Sequence, residues 1–193
     1  MLGICHDLRS CLKAGTDSQH KELDSLFQSL DLTDRHGFAV FVAAHLIGWR
    51  AAWQVWSSFA ADRLEMTLLD YPAMMSADLA DLGFDAARLP KLALAENGLC
   101  ADGVHRAAGI AYVLAGSRMG ISAIRRQPNW GTDHGRADTY LSDDSGGRFF
   151  RALLDWMNGP EGHAIDRDRA LDAARGTFGL FRAALEQARK ALH

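Results

Sequence analysis

Apolar residues return every three or four positions along nearly the whole chain, and no segment alternates convincingly at period two. Thr16-Asp17-Ser18-Gln19 reads as a capping box, and behind it His20, Leu23, Phe27 and Leu30 share one helical face. From Thr33 a longer pattern sets in, through Phe38, Phe41, Val42, His45, Trp49, Ala52, Trp53, Trp56 and Phe59. It predicts an amphipathic helix of about seven turns, with its three tryptophans anchoring the core. Tyr71-Pro72 predicts a helix start and Gly83 its stop, and a shorter piece from Asp85 to Leu94 is broken by Pro90. Another helix is expected from about Asp102 to Arg126. Pro128, Gly131 and Gly135 then mark a long loop, and helices over Phe149 to Met157 and Arg167 to Leu192 complete the set. With no repeat, low-complexity tract or linker to divide it, the pattern predicts one all-α domain over residues 1–193.

Composition narrows this picture only modestly. A chain of 193 residues with 48% hydrophobic content can bury a sizeable core. A formal charge of −3 gives no general reason to expect a nucleic-acid partner. No run of eighteen apolar residues predicts a membrane span, and Met1 to Arg9 does not resemble a signal peptide. Three cysteines without a CxxC suit a reducing compartment, so the expected location is the cytoplasm.

The candidate chemistry begins with glycines in a helix. Gly109, Gly116 and Gly120 lie seven and four residues apart, which puts them in one narrow stripe. An interior glycine costs a helix about 1 kcal/mol relative to alanine, so something flat is expected against that backbone. A neighbouring helix and a planar ligand both meet the requirement. Two glycines and a serine within Gly116-Ser117-Arg118-Met119-Gly120 also mark a place for a bend.

His20 sits on an apolar face, where its imidazole is expected to point inward, as a metal ligand or as a core histidine bonded to a carbonyl. Lys13 lies two turns earlier on the same side if the helix continues through Gly15. Asp17-x-x-His20 and Asp102-x-x-His105 imitate the carboxylate-x-x-His spacing of di-iron helices, at a frequency that chance supplies. Such sites need further glutamates, and the chain has five in all. HExxH, P-loop, GxGxxG and GxSxG motifs are absent. Asp133-His134 reads as a surface pair and Arg167-Asp168-Arg169 as a solvated helix start.

Together these residues resemble the haem oxygenase family, and in particular its bacterial, biliverdin-producing branch associated with bacteriophytochromes. The segment from Leu12 to Phe27, carrying His20, is similar to the family's proximal helix. Asp34 to Trp53 is similar to its second helix and Ser76 to Gly83 to its mid-chain segment. Tyr112-Val113-Leu114-Ala115-Gly116-Ser117-Arg118-Met119-Gly120 resembles the distal helix. The resemblance implies a helical fold with haem between the proximal and distal helices.

It further implies that His20 is the axial ligand of haem iron, and that Gly116, Gly120 and Ser117 flank the oxygen side. Lys13 matches a basic position and, with Arg148 and Arg151 suggested from a later helix, would meet the propionates. The implied reaction takes haem, which is cofactor and substrate at once, to biliverdin, iron(II) and carbon monoxide. An external electron donor, a reductase or ferredoxin, is implied, and a bacteriophytochrome is an implied acceptor of biliverdin. The chain departs from the family pattern at Ile121, where many relatives have a second glycine, and at Ala115, where many bacterial relatives have glutamate. Two alternatives stay open: a haem- or biliverdin-binding regulatory protein on the same scaffold, and a non-haem di-iron oxidase of related helical fold.

Overall fold

The computed structural model describes residues 6–94, 103–124 and 137–193. It is 78% helix, with no strand among the described residues, as the periodicity predicts. Helix α1 (Leu8–Gln28) starts at Asp7, whose carboxylate accepts a hydrogen bond from the Ser10 amide. This earlier cap corrects the expected start at Thr16. Thr16 instead lies inside the helix, and its buried hydroxyl donates to the Leu12 carbonyl at 2.7 Å.

Asp34 caps α2 (Arg35–Leu64), the long helix anticipated from Thr33. Trp49 and Trp56 are fully buried there, whereas Trp53 is only half-buried, so two of the three tryptophans anchor the core. Among the described residues α2 alone is long and apolar enough to cross a bilayer, yet 72% of its apolar window is buried inside the fold. α3 (Tyr71–Asp81) opens with Pro72 in its first turn, and Gly83 beyond it takes the left-handed conformation, φ +78°. The short helix expected from Asp85 shrinks to a single 3-10 turn, Ala86–Arg88, because Leu89 must be extended ahead of Pro90.

The remaining helices are α4 (Val104–Ile124), α5 (Thr139–Ser142), α6 (Gly146–Asn158), α7 (Pro160–His163) and α8 (Arg167–Ala191). The single turns α5 and α7 are too short for a periodic pattern to reveal. Asp102, Asp133 and His134 lie outside the described residues.

Helix α8 organises the packing, because three glycines let three helices press close against it. A Cβ at Gly15 of α1 would lie 2.5 Å from Leu171, one at Gly48 of α2 2.7 Å from the Phe181 ring, and one at Gly109 of α4 2.0 Å from the Ala170 carbonyl oxygen. Arg175 of α8 also donates to the Gly15 carbonyl. Helices α1 and α4 both advance along α8 in its own direction. Gly15, Glu22 and Ser29 meet Arg175, Arg182 and Arg189 in turn, while His105 accepts from the Asp166 amide and Gly109 reaches Ala170.

Candidate functional site

The glycine stripe has two different ends. At Gly109 the backbone is in contact with α8, which is helix packing. At Gly116 and Gly120 a Cβ would meet nothing within 4 Å among the described residues. Gly120 is exposed and Gly116 partly so. The helix runs unbroken through this segment, and the Ser117 hydroxyl donates to the Leu114 carbonyl at 2.7 Å. Among the described residues the outcome is a bare strip of helix backbone with free space in front of it. The departures from the family pattern lie elsewhere: Ile121 is 2% exposed and Ala115 fully buried, so both belong to the core side of α4.

The structure corrects the inward orientation expected of His20, whose side chain is 60% exposed. The reason lies in how α1 packs. Its buried residues Leu8, Leu12, Gly15 and Thr16 all precede His20, and the later half of the helix rests on the surface of the bundle. The His20 ring stands edge-on to Phe178 of α8 at 5.8 Å, and its Nδ1 lies 3.1 Å from Asp24 Oδ2. A carboxylate beside Nδ1 favours the proton on that nitrogen, which leaves the lone pair of the neutral ring on Nε2.

Lys13, Arg148 and Arg151 are all exposed. Arg148 lies over the ring of its neighbour Phe149, and Arg151 Nε donates to the Gly147 carbonyl of the same helix.

His20 and the open glycines sit on different helices that share α8. The contacts that seat α4 on α8 are His105 with Asp166 and Gly109 with Ala170, whereas His20 of α1 meets α8 further along, at Phe178. A cavity of about 180 Å³ opens beside His20, lined by Gln19, Leu23, Phe178 and Gly179 among others. Gly179 is itself bare, and a Cβ there would meet nothing within 4 Å among the described residues. A second cavity, about 310 Å³, lies between α2 and the start of α4. Neither of these two cavities is lined by His20, Gly116 or Gly120.

Two of the buried polar groups stand out, one on the apolar face of α2 that the sequence pattern marks and one that no motif singled out. His45, 7% exposed, is the core histidine: its Nδ1 is 2.9 Å from the Phe41 carbonyl, and Phe27, Phe41, Tyr140 and Phe181 surround the ring. Burial lowers its pKa to about 4, so it is neutral at pH 7.

The other group is Arg118, 2% exposed, on the face of α4 opposite the open glycines. Its guanidinium donates to the carbonyls of Tyr140 and Asp143 and forms a 2.9 Å ion pair with Asp143 Oδ2. It also lies between the Tyr71 and Tyr140 rings, 4.7 and 4.3 Å from their centroids. Burial alone would raise the Asp143 carboxyl, but hydrogen bonds from Ser145 and the Arg118 charge hold it below its ordinary value. Burial pushes the Tyr71 hydroxyl up to about 12, and this neutral phenol donates to Asp143. The sequence signal was present: Leu114, Arg118 and Ile121 share a helical face, and a lone arginine among apolar residues marks a buried, paired cation.

Comparison of the sequence with protein-family models and with curated proteins finds no match. Among the described residues no three His, Cys, Asp or Glu side chains gather as a metal site. Asp17 pairs with Lys21 at 2.7 Å and His20 with Asp24, so the Asp17-x-x-His20 spacing joins no common centre.

Proposed function

We propose that this chain is a haem oxygenase, which converts haem to biliverdin, iron(II) and carbon monoxide with dioxygen and electrons from a reductase or ferredoxin. The observation that carries the reading is the open end of the glycine stripe. Two costly glycines occupy one helix face where a Cβ would meet no described residue within 4 Å, so packing against a described helix does not account for them. The haem, as substrate, brings the iron at which dioxygen is reduced. His20 would hold that iron through Nε2, with Asp24 keeping the proton on Nδ1. Gly116 and Gly120 would leave room beside the ring for dioxygen and exclude bulk by presenting only backbone. Lys13, Arg148 and Arg151, all exposed, would meet the propionates, Arg148 by leaving the Phe149 ring and Arg151 by leaving the Gly147 carbonyl. The core positions of Ile121 and Ala115 support turnover over inert binding, because neither side chain would crowd the bare face.

Hemin titration followed by reduction under air tests the reading. Wild type should develop a Soret band with one equivalent of hemin and then release biliverdin. His20→Ala should keep its helical fold, alter the ferric spectrum and lose turnover. A Soret band with no biliverdin would favour the regulatory binder, and no Soret band would end both haem readings.

A further inference from the structure

We propose that Arg118 is a positioning residue that holds the Gly116–Gly120 face of α4 in place from behind. Arg118 is two residues from each glycine, about 160° around the helix from both. Among the described residues nothing packs on the two glycines to fix the rotation of that face, and each glycine there weakens the helix by about 1 kcal/mol. The opposite face must therefore supply the constraint, and there, beside the apolar Leu114 and Ile121, Arg118 is the buried polar side chain among the described residues of α4.

Tyr140 of α5 and Asp143 accept four hydrogen bonds from the guanidinium. Tyr71 of α3 and Tyr140 sandwich it. Each of those partners is held in turn. Trp49 of α2 donates to the Tyr140 hydroxyl at 3.0 Å. Asp78 of α3, fully buried, accepts from the amides of Thr139 and Tyr140 at 2.9 Å each. Tyr71 and Ser145 both donate to Asp143. On α6, a Cβ at Gly146 would lie 2.5 Å from Arg118 Cβ, so that helix closes directly over the arginine. Elements α2, α3, α5 and α6 thus fix one fork of donors. A fork bonded in several directions sets both the rotation and the height of α4, which a sliding apolar side chain does not.

The catalytic consequence rests on the haem oxygenase reading, whereas the clamp itself is measurable in the ligand-free protein. Amide hydrogen exchange on wild type, Arg118→Met and Asp143→Asn provides the test, with Arg118→Lys as the variant that keeps charge and loses the fork. Arg118→Met should retain helical circular dichroism while exchange at 114–121 quickens about tenfold, against less than about twofold at 108–111 and along α8. Asp143→Asn should give the same local pattern at smaller amplitude, and Arg118→Lys should restore protection only in part. With hemin and reductant, Arg118→Met should keep the wild-type ferric spectrum on the His20 side but shift the distribution of biliverdin isomers.

Unchanged exchange at 114–121, or equal acceleration throughout α4 and α8, would overturn the clamp, the second result meaning only lost stability. If Arg118→Met does not fold, Asp143→Asn decides by the same criterion. Absence of biliverdin from wild type would refute the proposed function and leave the exchange result to judge the clamp alone.

Discussion

Gly109 and the Gly116–Gly120 pair lie on one stripe of one helix, yet they answer to different constraints. At Gly109 the missing side chain lets α4 touch the α8 backbone, where a Cβ would sit 2.0 Å from a carbonyl oxygen. Two turns further on the side chain is missing and nothing comes to fill the space among the described residues. The histidines repeat the contrast. His45 is enclosed by aromatic rings and held neutral, while His20 stands on the surface with a carboxylate beside it. Gly109 and His45 close the core, whereas Gly116, Gly120 and His20 face space that no described residue fills, and the proposed ligand would lie there.

The contrast breaks most visibly at its packed end. Gly109→Ala should lose about 3 kcal/mol by chemical denaturation, because the obstructing atoms are backbone of another helix and cannot rotate aside. A neutral or stabilising result would mean that α4 can lift from α8 and that its two ends do not differ.

Acid titration should show an effect of similar size at His45. Its folded pKa of about 4 lies below the ordinary value of 6.5. Below pH 6.5 the unfolded chain therefore takes up a proton that the folded protein refuses. Stability is fully present above about pH 6.5 and falls as the pH drops toward 4, by about 3 kcal/mol in all from this group. Denaturation midpoints between pH 4 and 7 check this, and His45→Leu should flatten that part of the profile.

At the open end the sign reverses. Gly116→Ala should stabilise the ligand-free protein by about 1 kcal/mol, since alanine is the better helix former and its methyl group meets nothing among the described residues. His20→Ala should change stability least, by no more than about 0.5 kcal/mol, because the side chain lies on the surface. A large loss there would mean that His20 has a structural role and that its contact with Phe178 matters more than its exposure suggests.

How much of this was legible in the sequence depends on the length of each pattern. The long helices announce themselves because many apolar positions recur together, as from Phe38 to Phe59 in α2. Local capping competes with such patterns. Thr16 carried the right residues for a cap, but Asp7 already supplied one and the helix simply passed through. Direction is harder still. His20 shares a face with Leu23 and Phe27, yet the side on which a helix is covered depends on where its neighbours end, and that is tertiary information. The Arg118 clamp was the least visible feature, because its partners Tyr71, Tyr140 and Asp143 come from remote segments. The glycine stripe was legible as a stripe, whereas its division into packed and open ends required the position of α8.

The measurement that bears most directly on the account is stability and turnover of Gly120→Leu taken together. An open face reserved for haem and dioxygen should accept leucine without loss of folding stability and keep much of the hemin affinity, while biliverdin formation is abolished or misdirected. Biliverdin production equal to wild type in Gly120→Leu would contradict the claim that this bare backbone forms the oxygen side of the site.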